Sequence, residues 1–121
     1  ATKLEFGGTE VFDTDSAFDN STNYRFTPAV AGKYFLGCNV KLQIDSADKW
    51  MNLRIYKNGV NHIELTRTHS SHVENVNYNG HFIVDSDDDD YWEMYAYHNK
   101  GSDVDTSAAD CTFYGWRIAG V

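Results

Sequence analysis

Five carboxylates fall within six positions and form the densest group of candidate metal ligands in the chain: Asp85, Asp87, Asp88, Asp89 and Asp90. Calcium takes about six to eight oxygen ligands, and an acidic loop can supply several of them. The EF-hand spacing is not met, because Asp90 stands at the sixth position of the run, where that loop has glycine. We interpret the run either as a calcium site of another geometry or as a solvated turn. No other cofactor is indicated.

Two smaller groups have weaker metal-binding patterns. Asp13, Asp15 and Asp19 form a second acidic segment, and His69 and His72 are three residues apart. A transition-metal site needs at least a third ligand, which the histidine pair lacks unless symmetry-related copies supply it. Surface loops are the alternative interpretation of both groups.

The cysteines and the remaining motifs do not indicate catalysis. Cys38 and Cys111 are too few for a disulfide scaffold or a zinc cluster, and either free thiols or one disulfide is compatible with the sequence. No serine lies in a nucleophile elbow, and no glycine-rich phosphate loop occurs. We therefore expect no enzymatic activity.

Composition limits both the partners and the number of domains. The 121 residues carry 10 basic and 18 acidic side chains, a net charge of -8, and suit one domain over residues 1–121. Phosphate binding needs clustered basic residues, which are scattered here, so nucleic acid is not an expected partner. No apolar run reaches the ~18 residues of a membrane span, so membrane insertion is not expected. Because the first residue is Ala1, we expect a processed chain or the terminal domain of a longer one.

Alternation of apolar and polar residues predicts strands that would position these groups. Residues 33–44 alternate strictly except at Phe35, which predicts a long strand with one face on the core. Residues 50–57 alternate and end at Asn58-Gly59, the strongest short hairpin signal. Residues 101–110 are small and polar, which predicts a loop. With shorter segments at 24–27, 61–67, 81–84, 91–98 and 112–118, the pattern predicts an all-β antiparallel sandwich or jelly roll.

The last two predicted strands carry aromatic side chains on both faces. Tyr95 and Tyr97 alternate with Trp92 and Met94, and Tyr114 and Trp116 alternate with Phe113. Because an antiparallel sheet usually leaves one face to water, we expect another subunit or a ligand to cover the second face. Solvated tyrosine hydroxyls are the alternative.

Four segments resemble, in order, the globular domain of complement C1q, a family that shares the jelly roll of tumour necrosis factor. They are VFDTDSAF at 11–18, FTPAVAGKYF at 26–35, LRIYKNG at 53–59 and CTFYGWRI at 111–118. The first two also look like the C1q-like modules of bacteriophage tail fibres and virion surface proteins. The chain departs from the family at 85–90, where DSDDDD replaces a Gly-Asp before the penultimate strand.

The resemblance implies an antiparallel jelly roll of about ten strands that forms a tight homotrimer, with one sheet around the threefold axis. It also implies that the two cysteines lie on neighbouring strands. We expect the trimer interface to include Tyr95, Tyr97, Tyr114 and Trp116. We expect the following residues to maintain the fold: Phe26, Tyr34, Phe35, Phe113, Gly115 and Ile118.

The function implied by the resemblance is that of a non-enzymatic module on the surface of a virion. We expect the tip domain of a bacteriophage tail fibre or spike, which binds a glycan or protein on the host surface. One alternative is a capsid decoration or head-fibre protein that contacts other virion proteins and stabilises the shell. A secreted, extracellular C1q-like recognition domain is a further alternative.

Overall fold

Every regular element that the structure describes is a β-strand. The computed structural model describes residues 2–7, 13, 16–44, 48–70, 74–101, 105–106 and 111–121. In chain order the strands are β1 Thr2–Lys3, β2 Phe18–Asp19, β3 Arg25–Phe26, β4 Gly32–Ile44, β5 Lys49–Lys57, β6 Val60–Ser70, β7 Glu74–Ser86, β8 Trp92–His98, β9 Asp105–Thr106 and β10 Thr112–Ala119.

The strands form two antiparallel sheets. The six-stranded sheet has the order β2-β3-β8-β5-β6, and β1 pairs with β8 beside this path. The four-stranded sheet has the order β10-β4-β7, and β9 pairs with β4. Two antiparallel sheets confirm the all-β sandwich that the alternation predicts.

The pairings are nested around one tight turn. β5 pairs with β6 across this turn, β4 pairs with β7 outside them, and β3 pairs with β8 outside those. Asn58 and Gly59 form the turn with φ angles of 51° and 81°, the positive values that a two-residue hairpin of this type requires. The predicted hairpin at Asn58-Gly59 is confirmed. Two further pairings, of β8 with β5 and of β10 with β4, join these nested strand pairs into the two sheets.

The core lies between the sheets and draws on the inward positions of four strands. Alternation along β4 is the reason that its even-numbered side chains enter this core while the odd-numbered ones lie outside. The buried apolar residues are Tyr34, Leu36, Cys38, Val40, Leu42, Met51, Leu53, Ile55, Tyr78, Val84, Trp92, Met94 and Ala96.

Four of the residues expected to maintain the fold lie in the core or directly against it. Tyr34 is buried, and Phe26 and Phe113 pack against the buried cluster. At Gly115 a Cβ atom would lie 2.6 Å from Leu36 Cδ2, so the position leaves no room for a side chain.

Phe35 and Ile118 are not core residues, which corrects their expected placement. Phe35 lies between the buried residues Tyr34 and Leu36 and therefore points to the outer face of its sheet. Ile118 is 48% exposed near the end of β10, where the pairing with β4 shifts register after Arg117.

The structure also corrects two predicted boundaries. The segment predicted at 81–84 is only the end of β7, which begins at Glu74 and pairs with β4 along 13 positions. The segment predicted as a loop at 101–110 contains β9, which pairs with Leu42 and Gln43. Residues 102–104 and 107–110 of that segment lie outside the described residues.

Candidate functional site

The outer face of the four-stranded sheet carries four rings and one isoleucine, which we together call the aromatic face: Phe35, His81, Ile83, Tyr114 and Trp116. Strand pairing positions these side chains, because Phe35 of β4 is opposite Ile83 of β7 on one side and Trp116 of β10 on the other. Paired residues of neighbouring strands point to the same face of a sheet. The chain neighbours of Phe35 and Ile83 belong to the core or pack against it, which confirms that this face is the outer one.

Phe35 lies at the centre of the aromatic face in a stack of nearly parallel rings. Its centroid is 4.6 Å from that of Trp116 at an interplanar angle of 18°, and 5.2 Å from that of His81 at 20°. The Tyr114 ring is 6.4 Å away at 22°. The rings of Trp116 and His81 therefore stack on the Phe35 ring, and the group forms one continuous aromatic surface across the three strands.

The aromatic face is exposed and has little net charge. Trp116 is 53% and Ile83 is 55% exposed, which is high for such large apolar side chains. At one end Lys33 donates to Asp85 across β4 and β7 at 2.6 Å, so these charges cancel. Contiguous exposed apolar patches are typical of surfaces that contact another molecule.

Tyr95 and Tyr97 lie on the opposite side of the molecule, on the outer face of the six-stranded sheet. The Tyr95 ring stacks on Tyr56 with centroids 3.8 Å apart, and the Tyr97 ring stacks on Trp50 at 5.2 Å. The Arg54 guanidinium lies 5.2 Å from the centre of the Tyr97 ring. Neighbouring side chains of the same chain partly cover Tyr95, whereas Tyr97 is 38% exposed. The four expected interface residues lie on two different sheets and therefore do not form one surface.

The acidic run brings three carboxylates together, one of which is already engaged. Carboxylate oxygens of Asp87, Asp89 and Asp90 lie within 4.8 Å of one another. Asp90 accepts hydrogen bonds from the Asp87 amide at 2.9 Å and the Asn58 side chain at 2.8 Å, and pairs with Lys57 at 3.1 Å. Burial opposes ionisation of Asp90, but these bonds outweigh it and lower its pKa. The contacts join the acidic turn to the β5–β6 hairpin, a structural role for Asp90.

The two other members of the acidic run, Asp85 and Asp88, are not part of this group of three carboxylates. Asp85 is paired with Lys33, and Asp88 is exposed. Calcium binding by Asp85, Asp87, Asp88, Asp89 and Asp90 together therefore stays a prediction, and the described contacts of Asp90 compete with it.

In the described part of the second acidic segment, the carboxylates of Asp13 and Asp19 accept hydrogen bonds from backbone amides of the residues that follow them. Asp13 accepts hydrogen bonds from the amides of Ala17 and Phe18 at 2.9 and 3.0 Å. Asp19 accepts from the amide of Thr22 at 2.9 Å and from that of Ser21 at 3.0 Å. These bonds, that from Thr22 foremost, lower the pKa of Asp19 to about 2.

Two residues named as weaker metal candidates lie outside the described residues: Asp15 and His72. His69, the other member of the histidine pair, is exposed on β6, where it is opposite Trp50.

The two cysteines are free thiols: Cys38 lies on β4, and Cys111 directly precedes the neighbouring strand β10. Cys38 is fully buried and is opposite Phe113, two residues after Cys111. Burial raises the pKa of Cys38 to about 12, with a smaller contribution from Cys111. Cys38 thus acts as a small core residue, since the thiolate is the reactive form of cysteine.

Asn52 is a site residue that the sequence alone did not single out. It is fully buried on the outer face of β5, and neither its amide nitrogen nor its amide oxygen has a hydrogen-bond partner. The only sequence signal is an asparagine between Met51 and Leu53, in a strand that otherwise alternates apolar with large polar side chains. Buried polar groups in proteins are nearly always paired, so this amide calls for a functional explanation.

Neither the models of known protein families nor the curated proteins include a match to this chain. Within the described ranges, no helix has the length and apolar character that a membrane span requires. The functional interpretation therefore depends on the two sheet faces and on the resemblance of the four sequence segments.

Proposed function

We propose that the chain is a non-enzymatic C1q-like jelly roll that assembles into a homotrimer through its aromatic face and acts as a binding module on a virion surface. The proposed position is the tip of a bacteriophage tail fibre or spike, where the module contacts a glycan or protein of the host surface. The observation that carries the proposal is the stack of Phe35, Trp116 and Tyr114, with Trp116 exposed, on the four-stranded sheet, which we assign to the threefold axis that the resemblance implies.

The nested strand pairing supports the jelly roll. A jelly roll is a long antiparallel hairpin wound into two sheets, so each strand before the central turn pairs with its counterpart after it. The pairings β5–β6, β4–β7 and β3–β8 have this form, and the sheet orders β3-β8-β5-β6 and β10-β4-β7 follow from it. One difference is that β1 pairs with β8 rather than with β10.

The charge distribution supports a second and third copy as the occupants of the aromatic face. Each chain carries a net charge of -8, so copies repel one another unless they meet where charge is absent or paired. The aromatic face meets this condition, since the charges at its end, Lys33 and Asp85, are paired within the chain. Burying exposed tryptophan and isoleucine there is favourable by about 25 cal/mol for each Å² removed from water.

Molar mass in solution tests the proposal. Sedimentation equilibrium should give about 41 kDa, three times the 13.8 kDa of one chain, at micromolar concentration. A single species of 13.8 kDa under the same conditions would contradict the proposed assembly.

A further inference from the structure

The outer face of the six-stranded sheet contains a buried amide without hydrogen bonds, covered by a layer of aromatic and cationic side chains. Asn52 of β5 is opposite Tyr97 of β8 on one side and Arg67 of β6 on the other. The Trp50 ring stacks on Tyr97 at 5.2 Å, and the Arg67 guanidinium lies 4.8 Å from the centre of the Trp50 ring. Trp50 thus contacts the side chains on both sides of Asn52 and covers the amide.

Two of the four arginines of this acidic chain meet at the covered amide. The Arg54 guanidinium lies 5.2 Å from the centre of the Tyr97 ring, and Arg54 is opposite Glu64 of β6, whose carboxylate it attracts without a direct ion pair. Arg67 donates to Glu64 from Nε at 2.7 Å and from Nη2 at 3.2 Å. The arginines, the two rings and the amide form a group that we call the Asn52 cluster: Trp50, Asn52, Arg54, Arg67 and Tyr97.

We propose that the Asn52 cluster binds a saccharide that carries a carboxylate. Arg54 and Arg67 supply the guanidinium groups that bind a carboxylate with charge-assisted hydrogen bonds. The Asn52 amide supplies one donor and one acceptor, which match a sugar hydroxyl or acylamino group once Trp50 turns aside. The rings of Trp50 and Tyr97 provide the apolar surface against which the C–H groups of a sugar pack.

An acidic saccharide fits the cluster better than an acidic peptide does. The carboxylate of a peptide would engage the arginines and its backbone could pair with the Asn52 amide, but a peptide lacks the flat C–H face of a sugar ring that packs on Trp50 and Tyr97. Only a ligand with neighbouring carboxylate, hydroxyl and C–H groups uses all three components of the cluster.

The inference rests on the proposed function, because it names the ligand class that the trimer would bind. The Asn52 cluster lies on the six-stranded sheet, and the aromatic face lies on the other sheet. Assembly through the aromatic face therefore leaves the cluster open to a ligand.

Titration calorimetry with defined probes tests the inference. The probes are N-acetylneuraminyl-lactose, a glucuronic acid disaccharide and a galacturonic acid oligomer, with lactose as the neutral control. We expect at least one acidic probe to bind and lactose not to bind. Arg54→Gln should weaken the binding about tenfold, the loss expected for one charge-assisted contact. Glu64→Gln should strengthen it about threefold, because it releases Arg67 and removes a nearby negative charge.

A matched control and three outcomes complete the test. Arg25→Gln removes an arginine that also lies over a tyrosine ring, that of Tyr91 at 4.2 Å, and should leave binding unchanged. Absence of binding by all three acidic probes at millimolar concentration would overturn the inference, and so would equal binding of lactose. Binding of a glutamate-rich peptide in place of the acidic saccharides would also overturn it. The sedimentation mass in the same buffer separates this result from the proposed assembly, since a trimer that binds no acidic sugar contradicts only the inference.

Discussion

The ring of Tyr114 lies directly over the backbone of Gly37, its partner on the neighbouring strand. A Cβ atom at Gly37 would be 2.6 Å from Cε2, Cζ and Oη of Tyr114, so the ring occupies the space that a side chain would take. A glycine in a strand interior often marks such a close approach. A side chain at Gly37 would therefore displace Tyr114 from the proposed interface.

Replacing Trp116 with glutamate should dissociate the proposed trimer. The substitution places a charge on the aromatic face, where burial of an unpaired carboxylate costs several kcal/mol. Because Trp116 is 53% exposed in the single chain, the variant should stay folded, as circular dichroism will show. Val60→Glu is the control, since Val60 is 68% exposed at the hairpin turn and lies outside the aromatic face. A Trp116→Glu variant that still sediments as a trimer would rule out this interface.

Replacing Asn52 with leucine should stabilise the fold. The change removes two buried polar atoms without partners, each of which costs about 1–3 kcal/mol, and keeps a side chain of similar size. We expect the free energy of unfolding in urea to rise by about 1–3 kcal/mol, with an unchanged slope. Asn79→Leu, at an exposed position of β7, should change it by less than about 0.5 kcal/mol. A destabilised Asn52→Leu variant would mean that the amide has a partner in solution.

Replacing Asp19 with alanine should remove part of the acid sensitivity of the fold. The pKa of Asp19 is lowered from 3.8 to about 2 in the folded chain, so its stabilising contribution is complete above about pH 4 and is lost as the pH falls toward 2. Melting temperatures of the parent and Asp19→Ala should therefore differ most near neutral pH and converge at low pH. Asp88→Ala, at an exposed position, is the control. A difference that grows on acidification would contradict the role of Asp19.

Replacing Asp90 with alanine should destabilise the chain more than replacing Asp89. Asp90 loses an ion pair with Lys57 and two hydrogen bonds, whereas Asp89 is exposed. We expect a loss of about 1.5–3 kcal/mol for Asp90→Ala and less than about 0.5 kcal/mol for Asp89→Ala, measured by urea denaturation. Equal losses would show that Asp90 has no special structural role.

The same two variants test calcium. If the acidic run binds the ion, millimolar calcium should raise the melting temperature of the parent, and both variants should reduce this rise. An identical melting temperature in calcium and in chelator would remove the calcium prediction.

Alkylation should distinguish the two cysteines. Cys38 is buried with its pKa raised to about 12, whereas Cys111 is half-buried. Iodoacetamide should therefore label Cys111 in the folded chain and both cysteines after unfolding, as mass spectrometry of the peptides will show. Labelling of Cys38 in the folded chain would contradict its burial, and a mass lower by about 2 Da would indicate a disulfide instead.

The long strands were predictable from sequence because their alternation is a local property. β4 and the hairpin at Asn58-Gly59 follow directly from period-two patterning and turn chemistry. The first half of β7 was missed because asparagine and Gly80 disfavour strands locally, and only pairing along the whole of β4 makes the segment a strand. Sheet propensity depends on such neighbours more than helix propensity does.

The candidate sites were predictable only in part. Tyr114 and Trp116 were singled out because their strand has aromatic residues on both faces. Tyr95 and Tyr97 were grouped with them, since nothing local reveals that β8 and β10 belong to different sheets. The sequence around Asn52 gives only a weak signal, because its burial depends on its place in the middle of the sheet, between β6 and β8.

The concentric strand pairing has a consequence for how the chain folds. Once β5 and β6 close over their two-residue link, the ends of β4 and β7 are already near each other, and the same holds for β3 and β8 in turn. Each stage then spans a short effective loop, so its entropic cost is far below that of joining distant parts of an open chain. Pairing outward from the central turn would therefore reduce the slowing that a topology rich in distant contacts otherwise imposes on folding.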